Sequence, residues 1–400
     1  MLKGPFLDAR DVIEIIESNG HQAYFVGGCV RDLLLDRPIG DIDITTSAPP
    51  NTVMNLFKEV IPVGIEHGTV IVRYNKESYE VTTFRVEGEY SDHRHPDQVE
   101  FIDQLDKDLE RRDFTINALA MDKDGKITDL FHGVEDLQKK VIRTVGSGVE
   151  RFTEDPLRVI RALRFSSQLG FSIEDETLAA IHQVKDQIDN LAVERITNEM
   201  TKFLSGNHVR VGLDYLNETK IYNYLPVWSK HPEIIDIIPR NLQPLGSLAE
   251  FFALLHFKMP SISIQTWTKE WKCSNKERTE AQHLITALAY FQDNGLDPWL
   301  VYQLPNHFYG GFTRLVHTIF TPSSVSQIDM ENLDSKLPIH SRKELEIDGN
   351  ILIELFPNVK KGPWIQKALS RLEKEVVLGH LENDQIILKE WIKWNPPEIN

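Results

Sequence analysis

Two aspartates, Asp41 and Asp43, stand two residues apart in GDIDITTS, where polar and apolar residues alternate. Alternation of this kind predicts a β-strand, and on a strand residues i and i+2 project from the same face. Two carboxylates held side by side make a hard-oxygen site suited to Mg2+. Such a site could bridge two Mg2+ ions about 3.5–4 Å apart, to activate a hydroxyl and to hold a triphosphate leaving group. Upstream, QAYFVGG is a short apolar run that stops at Gly27 and Gly28, and Arg31 follows in the first turn of a predicted helix. Glycines there let the backbone approach a phosphate closely, beside a helix N-terminus and a guanidinium. Glycine turn, helix, then a strand with two acids is a layout for phosphoryl transfer. The plainer alternative is a solvent-facing strand.

A second cluster lies in EDPLRVIRALRF, residues 154–165. Arg158, Arg161 and Arg164 recur every three residues on a predicted helix, with Pro156 in its first turn. No acid between Arg158 and Phe165 is available to pair with them. Two roles fit: contact with RNA phosphates, or membership of a buried ion-pair network.

The elements that must position these residues can be read from periodicity. Residues 1–22 are helical in pattern and end at Asn19-Gly20; QAYFV is a strand; VRDLLLD is a helix broken by Pro38. NTVMNLFKEV reads as a helix, and GTVIVRYN with ESYEVTTFRV as a hairpin turning at Asn75-Lys76. The first ~125 residues therefore predict a mixed, mainly antiparallel sheet with helices. From about residue 134 helical patterns run to the C-terminus, with a polar, irregular stretch from Pro322 to Glu344. The fold class is α+β.

Composition sets limits. A chain of 400 residues exceeds a single core. It is 41% hydrophobic and 26% charged, as a soluble globular protein is. No apolar run approaches the ~20 residues that span a bilayer, so no membrane role is expected. The N-terminal residues lack the apolar stretch of a signal peptide. Two cysteines, Cys29 and Cys273, form no CxxC pair, which favours a reduced, cytoplasmic location. A net charge of −16 argues against a protein that coats nucleic acid indiscriminately. Local charge differs: residues 137–170 hold seven Lys/Arg against three acids, and residues 360–374 five against one.

VGGCVRDLLL…GDIDITT resembles the first motif of the nucleotidyltransferase superfamily that includes DNA polymerase β. Its VGGxVRD form is that of class II tRNA nucleotidyltransferases (the CCA-adding enzymes) and bacterial poly(A) polymerases. The resemblance implies that Asp41 and Asp43 bind the catalytic metals, and that Glu80 is a candidate third carboxylate. ERRDFTINALA, residues 110–120, matches the family's RRDFTxNAL motif. It implies that Arg112 faces the phosphates, while Asp113 and Asn117 share one helix face near the ribose. EDPLRVIRALRF fits the family's base-selecting motif. Asp155 and Arg158, three apart, would lie side by side and offer an acceptor beside a donor. Cytosine and adenine present the complementary amino donor and ring-nitrogen acceptor, whereas uracil and guanine present the reverse order. Arg161 and Arg164, further round the helix, would contact the nucleotide. AVERITNEM resembles the family's next helix, with Arg195 and Glu199 one turn apart; GPWIQKALSRLEKEVVLGHLEN resembles a C-terminal segment of bacterial relatives.

The expected molecule is an N-terminal nucleotidyltransferase head (1–148) followed by an elongated all-α remainder. That remainder divides into a neck with the nucleotide-selecting helix (149–215), a body (216–290) and a tail in contact with tRNA (291–400). Gly28, Arg31, Arg112, Asp155, Arg158, Arg161 and Arg164 form the nucleotide site; the cofactor is Mg2+; the partners are tRNA, CTP and ATP. Related bacterial enzymes are often homodimers, and a homodimer is the expectation carried over. The reaction implied is addition of C, C and A to the tRNA 3′ end without a nucleic-acid template. The alternatives are a CC-only or A-only enzyme, a poly(A) polymerase, or a non-catalytic RNA-binding protein. The loop at 84–98 favours full CCA addition, since CC-only relatives tend to lack it. SDHRHPD at 91–97 is read as part of that loop rather than as a metal site.

Overall fold

The computed structural model describes residues 4–88, 99–320 and 324–396. SDHRHPD lies outside the described residues. Two compact units divide the chain, Met1–Ile235 and Asp236–Asn400. Among the described residues no helix is long and apolar enough to cross a membrane.

The first unit opens with helix α1 (Pro5–Ser18), strand β1 (Ala23–Val26), α2 (Gly28–Leu34), β2 (Asp43–Thr46), α3 (Pro50–Leu56), β3 (Glu59–Gly64), β4 (Thr69–Tyr74) and β5 (Glu77–Thr83). A separate antiparallel ribbon, β6 (Arg85–Glu87) with β7 (Val99–Phe101), comes next. Helix α4 (Leu105–Glu110), then β8 (Leu119–Met121) and β9 (Ile127–Asp129), complete the sheet region. The main sheet has seven strands in the order β3-β4-β5-β2-β1-β8-β9. All of its pairings are antiparallel except β2 with β5. Asn75 and Lys76, both at positive φ, make the turn of the β4–β5 hairpin, as the sequence predicts.

Strand alternation separates core from site. Phe25, Ile44, Val81 and Val70 stand in register across four neighbouring strands and are buried, with Phe6 of α1 edge-on to Phe25. The adjacent row, Asp43, Glu80, Ile71 and Ile61, therefore lies on the opposite face.

Two local expectations differ from the fold. The helix expected over NTVMNLFKEV ends at Leu56, and Glu59–Gly64 forms an edge strand. Its valines and isoleucine favour a pleated surface over a helix end. The stretch Pro322–Glu344 contains a helix, Gln327–Asp334, whose start is fixed by a capping box between Ser326 and Asp329.

Beyond the sheet come α5 (Gly133–Lys139), α6 (Gly148–Glu154), α7 (Leu157–Leu169), α8 (Asp175–Val184) and α9 (Val193–Leu204). The second unit is helical. Helix Leu248–Lys258 lies over an aromatic core of Phe252, Trp267 and Trp271. Leu372, Val376, Leu388 and Ile392 hold helices Trp364–Val377 and Gln385–Trp394 together.

Candidate active site

All seven residues expected in the nucleotide site line one cavity of about 820 Å³, together with Asp43, Glu80, Asp113, Asn117 and Arg195. Asp41 is not among its walls. It is exposed and precedes β2, so the strand that was expected to carry both aspartates carries only Asp43. Gly40 and Ile42 share that irregular approach with it.

The acidic side of the cavity is built by strand pairing. Asp43 on β2 faces Glu80 on β5 in parallel register. Burial pushes the Asp43 carboxyl up to about 6, and the neighbouring Glu80 and Asp41 charges add to this, while Arg112 opposes it. Carboxylates that repel one another in a partly buried wall are stabilised by a cation between them. Among the described residues no group of three or more His, Cys, Asp or Glu converges on a metal position. A hard cation at Asp43 would therefore draw its remaining ligands from water and substrate phosphates, as Mg2+ commonly does. The donor set fits that ion.

Opposite the acids, β1 runs into Gly27, which caps α2 at φ +74. A Cβ at that position would lie 3.2 Å from Arg112 Nη1. The positive φ and the crowded guanidinium both call for glycine. Gly27→Ala should destabilise the protein by about 1–2 kcal/mol and weaken nucleotide binding through displacement of Arg112. Urea unfolding and a nucleotide titration would measure the two effects.

Arg31 on α2 is fixed from two sides. Its Nε and Nη2 donate to Asp32 at 3.0 and 2.9 Å, and Nη1 donates to Asn117 Oδ1 at 2.7 Å. Asn117 Nδ2 donates to Asp113 Oδ1 at 3.1 Å. Asp113 and Asn117 thus meet, but not on a helix face: α4 ends at Glu110, and only Thr115–Asn117 form a 3-10 turn. Asp113 Oδ2 accepts Arg161 Nε at 2.7 Å. Burial would raise the Asp113 carboxyl, but Arg161, Asn117 and Arg158 outweigh it and hold the group well below the usual range. Arg112 pairs with buried Asp108 at 3.2 Å, while its own buried Nε has no hydrogen-bond partner.

EDPLRVIRALRF is not one helix. Helix α6 ends at Glu154, Asp155 is extended (φ −141, ψ 97), and α7 begins at Leu157. Pro156 explains the break, since proline drives the preceding residue out of the α region. Asp155 and Arg158 therefore do not share a helix face. The cavity brings them together from either side of the break. Asp155 Oδ1 accepts the Leu157 N–H at 3.1 Å, and Oδ2 accepts Arg195 Nη2 of α9 at 2.8 Å. Arg158 donates to Glu154 at 2.8 Å and to the carbonyls of Arg151 and Arg111 at 3.2 and 3.1 Å.

The arginines are paired: Arg158 with Glu154 inside the segment, Arg161 and Arg164 with acids outside it. Arg164 lies 3.0 Å from Glu199, and Arg161 Nη1 lies 3.8 Å from it. Arg195 and Glu199, one turn apart on α9, do not pair with each other: Arg195 reaches Asp155 and Glu199 reaches α7. Burial lowers the Arg164 guanidinium to about 10, with Arg161 and Arg31 contributing, which still leaves it charged at neutral pH. Phe165 supports the cluster. Arg31, Arg161 and Arg164 lie 5.1, 5.6 and 4.2 Å from its ring centroid. Such placement helps to hold the guanidiniums in position. Sequence reasoning missed Glu154 and Phe165, although both stand inside the quoted motif.

Residues 23–143 match the family described as Poly A polymerase head domain, and residues 247–392 match tRNA nucleotidyltransferase domain 2. The chain is 50% identical to the CCA-adding enzyme of Oceanobacillus iheyensis, with all of both chains covered. It is 40% identical to that of Bacillus cereus strain 03BB102, over 97% of this chain and 98% of the relative. Its fold matches the crystal structure of the Bacillus stearothermophilus CCA-adding enzyme in complex with CTP: TM-score 0.86, 35% identity, 98% of each chain covered. With relatives this similar over nearly their whole length, the chain belongs to the family of CCA-adding enzymes.

Proposed function

We propose that this cavity adds C, C and A in turn to the 3′ end of tRNA from CTP and ATP, without a nucleic-acid template. The observation that carries the reading is the single cavity that Asp43 and Glu80 line together with Arg31, Arg112, Arg161, Arg164 and the Asp155/Arg158 pair. Asp43, joined by Asp41 from the irregular segment before β2, would hold Mg2+. Bound there, such an ion would supply charge neutralisation for the transferring phosphoryl group and would make the attacking 3′-hydroxyl more acidic. Arg31, Arg112, Arg161 and Arg164 would bind the triphosphate, and the Gly27-Gly28 turn would admit its oxygens close to the backbone. No side-chain nucleophile is needed, because positioning and charge neutralisation suffice for an in-line displacement that releases pyrophosphate.

Base choice would rest on Asp155 and Arg158. A carboxylate has about four acceptor sites, so Asp155 keeps capacity for an exocyclic amino group beside its two protein contacts. A guanidinium has five N–H donors, and the three protein hydrogen bonds of Arg158 leave donors for a ring nitrogen. Both are held by partners that fix their orientation, which is what a reader of base edges needs. The two free cysteines fit a cytoplasmic protein.

Single-nucleotide extension tests this reading. With Mg2+, CTP alone should add two residues to tRNA lacking CCA, ATP alone should add one to tRNA ending in CC, and complete tRNA should not grow. Arrest after two Cs even with ATP would make it a CC-only enzyme. Long A tails would make it a poly(A) polymerase.

A further inference from the structure

A fully buried carboxylate holds two of the cavity's arginines without lining the cavity itself. Asp108, on α4, is 0% exposed and is not among the walls, whereas Arg111 and Arg112 both are. Asp108 Oδ1 accepts Arg111 Nε at 3.0 Å and lies 2.9 Å from its Nη2. Oδ2 accepts Arg112 Nη2 and the Thr45 hydroxyl, each at 3.2 Å. Burial would raise the Asp108 carboxyl, but the two guanidiniums outweigh it and hold the group below the usual range, so it is charged at neutral pH. Two like charges this close to one another stay together only around a shared counter-charge.

Thr45 gives these bonds a direction. It stands two residues from Asp43 on β2, so both side chains project from one face of the sheet. Asp108 thus ties the Arg112 guanidinium to the strand that carries Asp43. Arg112 depends on that tie. Its Nε is buried with no hydrogen-bond partner, and among the described residues Asp108 is the one carboxylate paired with it. Arg31 and Arg161, by contrast, are each held by two partners, Asp32 with Asn117 and Asp113 with Glu199. We propose that Asp108 is a positioning residue for nucleotidyl transfer: it fixes the Arg112 guanidinium relative to Asp43, so that a triphosphate gripped by Arg112 presents its α-phosphorus at Asp43. The proposal rests on the nucleotidyltransferase reading above. An arginine fixed beforehand also spares rotamer entropy when the nucleotide binds. A reaction that proceeds by positioning is sensitive to small displacements, and a shift of about 1 Å can cost about 10²-fold in rate.

The test pairs equilibrium binding with kinetics on the full-length protein. Asp108→Asn keeps the size of the side chain and removes its charge. Affinity for CTP and for ATP, measured by titration, should fall about tenfold each, and the single-turnover rate about tenfold or more. Inhibition by pyrophosphate should weaken in parallel, because the lost grip is on phosphate. The KM for tRNA should stay within about twofold, and the preference for CTP over UTP should not change. A double-mutant cycle separates positioning from general loosening. In an Arg112→Gln background, Asp108→Asn should alter CTP affinity less than about twofold, because the group it acts through is gone. Equal losses in the two backgrounds, unchanged CTP affinity in Asp108→Asn, or a tRNA KM that rises as much, each overturn the proposal. If Asp108→Asn does not fold, Asp108→Asn with Arg111→Gln keeps the local net charge, and its CTP affinity is compared with that of Arg111→Gln alone. The tenfold loss is expected between those two as well, and its absence refutes the role. A wild-type protein that binds CTP, and weakens as described in Asp108→Asn, yet transfers no nucleotide would sink the functional reading and leave Asp108 as the residue that sets the phosphate grip.

Discussion

Asp43→Asn should abolish nucleotide transfer while leaving tRNA binding intact. The carboxylate lines the same cavity as the guanidiniums and stands in register with Glu80. Loss of a cation-holding group removes several kcal/mol of transition-state stabilisation, which is about 10³-fold or more in rate. Single-turnover extension measures this, and filter binding of tRNA measures the other arm. The same variant should act on stability in the opposite direction. In the metal-free protein the Asp43 carboxyl is raised from 3.8 to about 6. A carboxyl raised by folding favours the folded state fully below its unfolded pKa, and that contribution is lost as pH rises through the folded value. Between about pH 4 and 7 the chelated wild type should lose on the order of 1–3 kcal/mol relative to Asp43→Asn. Denaturant melts at each pH, with chelator, give the comparison. Mg2+ should raise the wild-type melting temperature at pH 7 and do little for the variant.

Arg158→Ala should relax base choice more than it slows transfer. Discrimination against UTP and GTP comes from mispaired polar groups, each worth about 1–3 kcal/mol when buried, so removal of one reader should cost roughly 10–100-fold in selectivity. The surroundings should survive the change. Glu154 keeps Arg151 at 2.9 Å when Arg158 is gone, so no carboxylate is left without a partner. Asp155→Ala is less clean, because it also frees Arg195 and removes the carboxylate that caps the start of α7. Competition between CTP and UTP on tRNA lacking CCA gives the ratio of kcat/KM directly. Unchanged selectivity in Arg158→Ala would show that the bases are read elsewhere.

The two variants probe features that were unequally legible in the sequence. Asp43, the paired glycines and Arg31 could be read locally, because a strand of period two and a glycine turn each dictate their own geometry. The β4–β5 hairpin was legible for the same reason. Asp155 and Arg158 line one cavity, but not through the helical spacing that put them side by side: Pro156 splits the helix, and the cavity is lined from both sides of the break. X-Pro chemistry was available as a signal for that break. The partners of the arginines were not legible. Arg195 reaches back 40 residues to Asp155, and Glu199 reaches Arg164, pairings set by the packing of α9 on α7 rather than by any local period. Asp113 and Asn117 meet as expected, yet through a 3-10 turn that a four-residue spacing cannot distinguish from a helix. Asp41, expected on the strand, precedes it.

The central claim is that protein side chains, in one cavity, dictate a fixed nucleotide order. Incubation of the purified chain with Mg2+, tRNA lacking its CCA end and all four nucleoside triphosphates, followed by sequencing of the 3′ ends, tests it most directly. The account predicts C-C-A on nearly every extended molecule, with no U or G and no growth beyond the A. Mixed termini, or A tails of varied length, would contradict it.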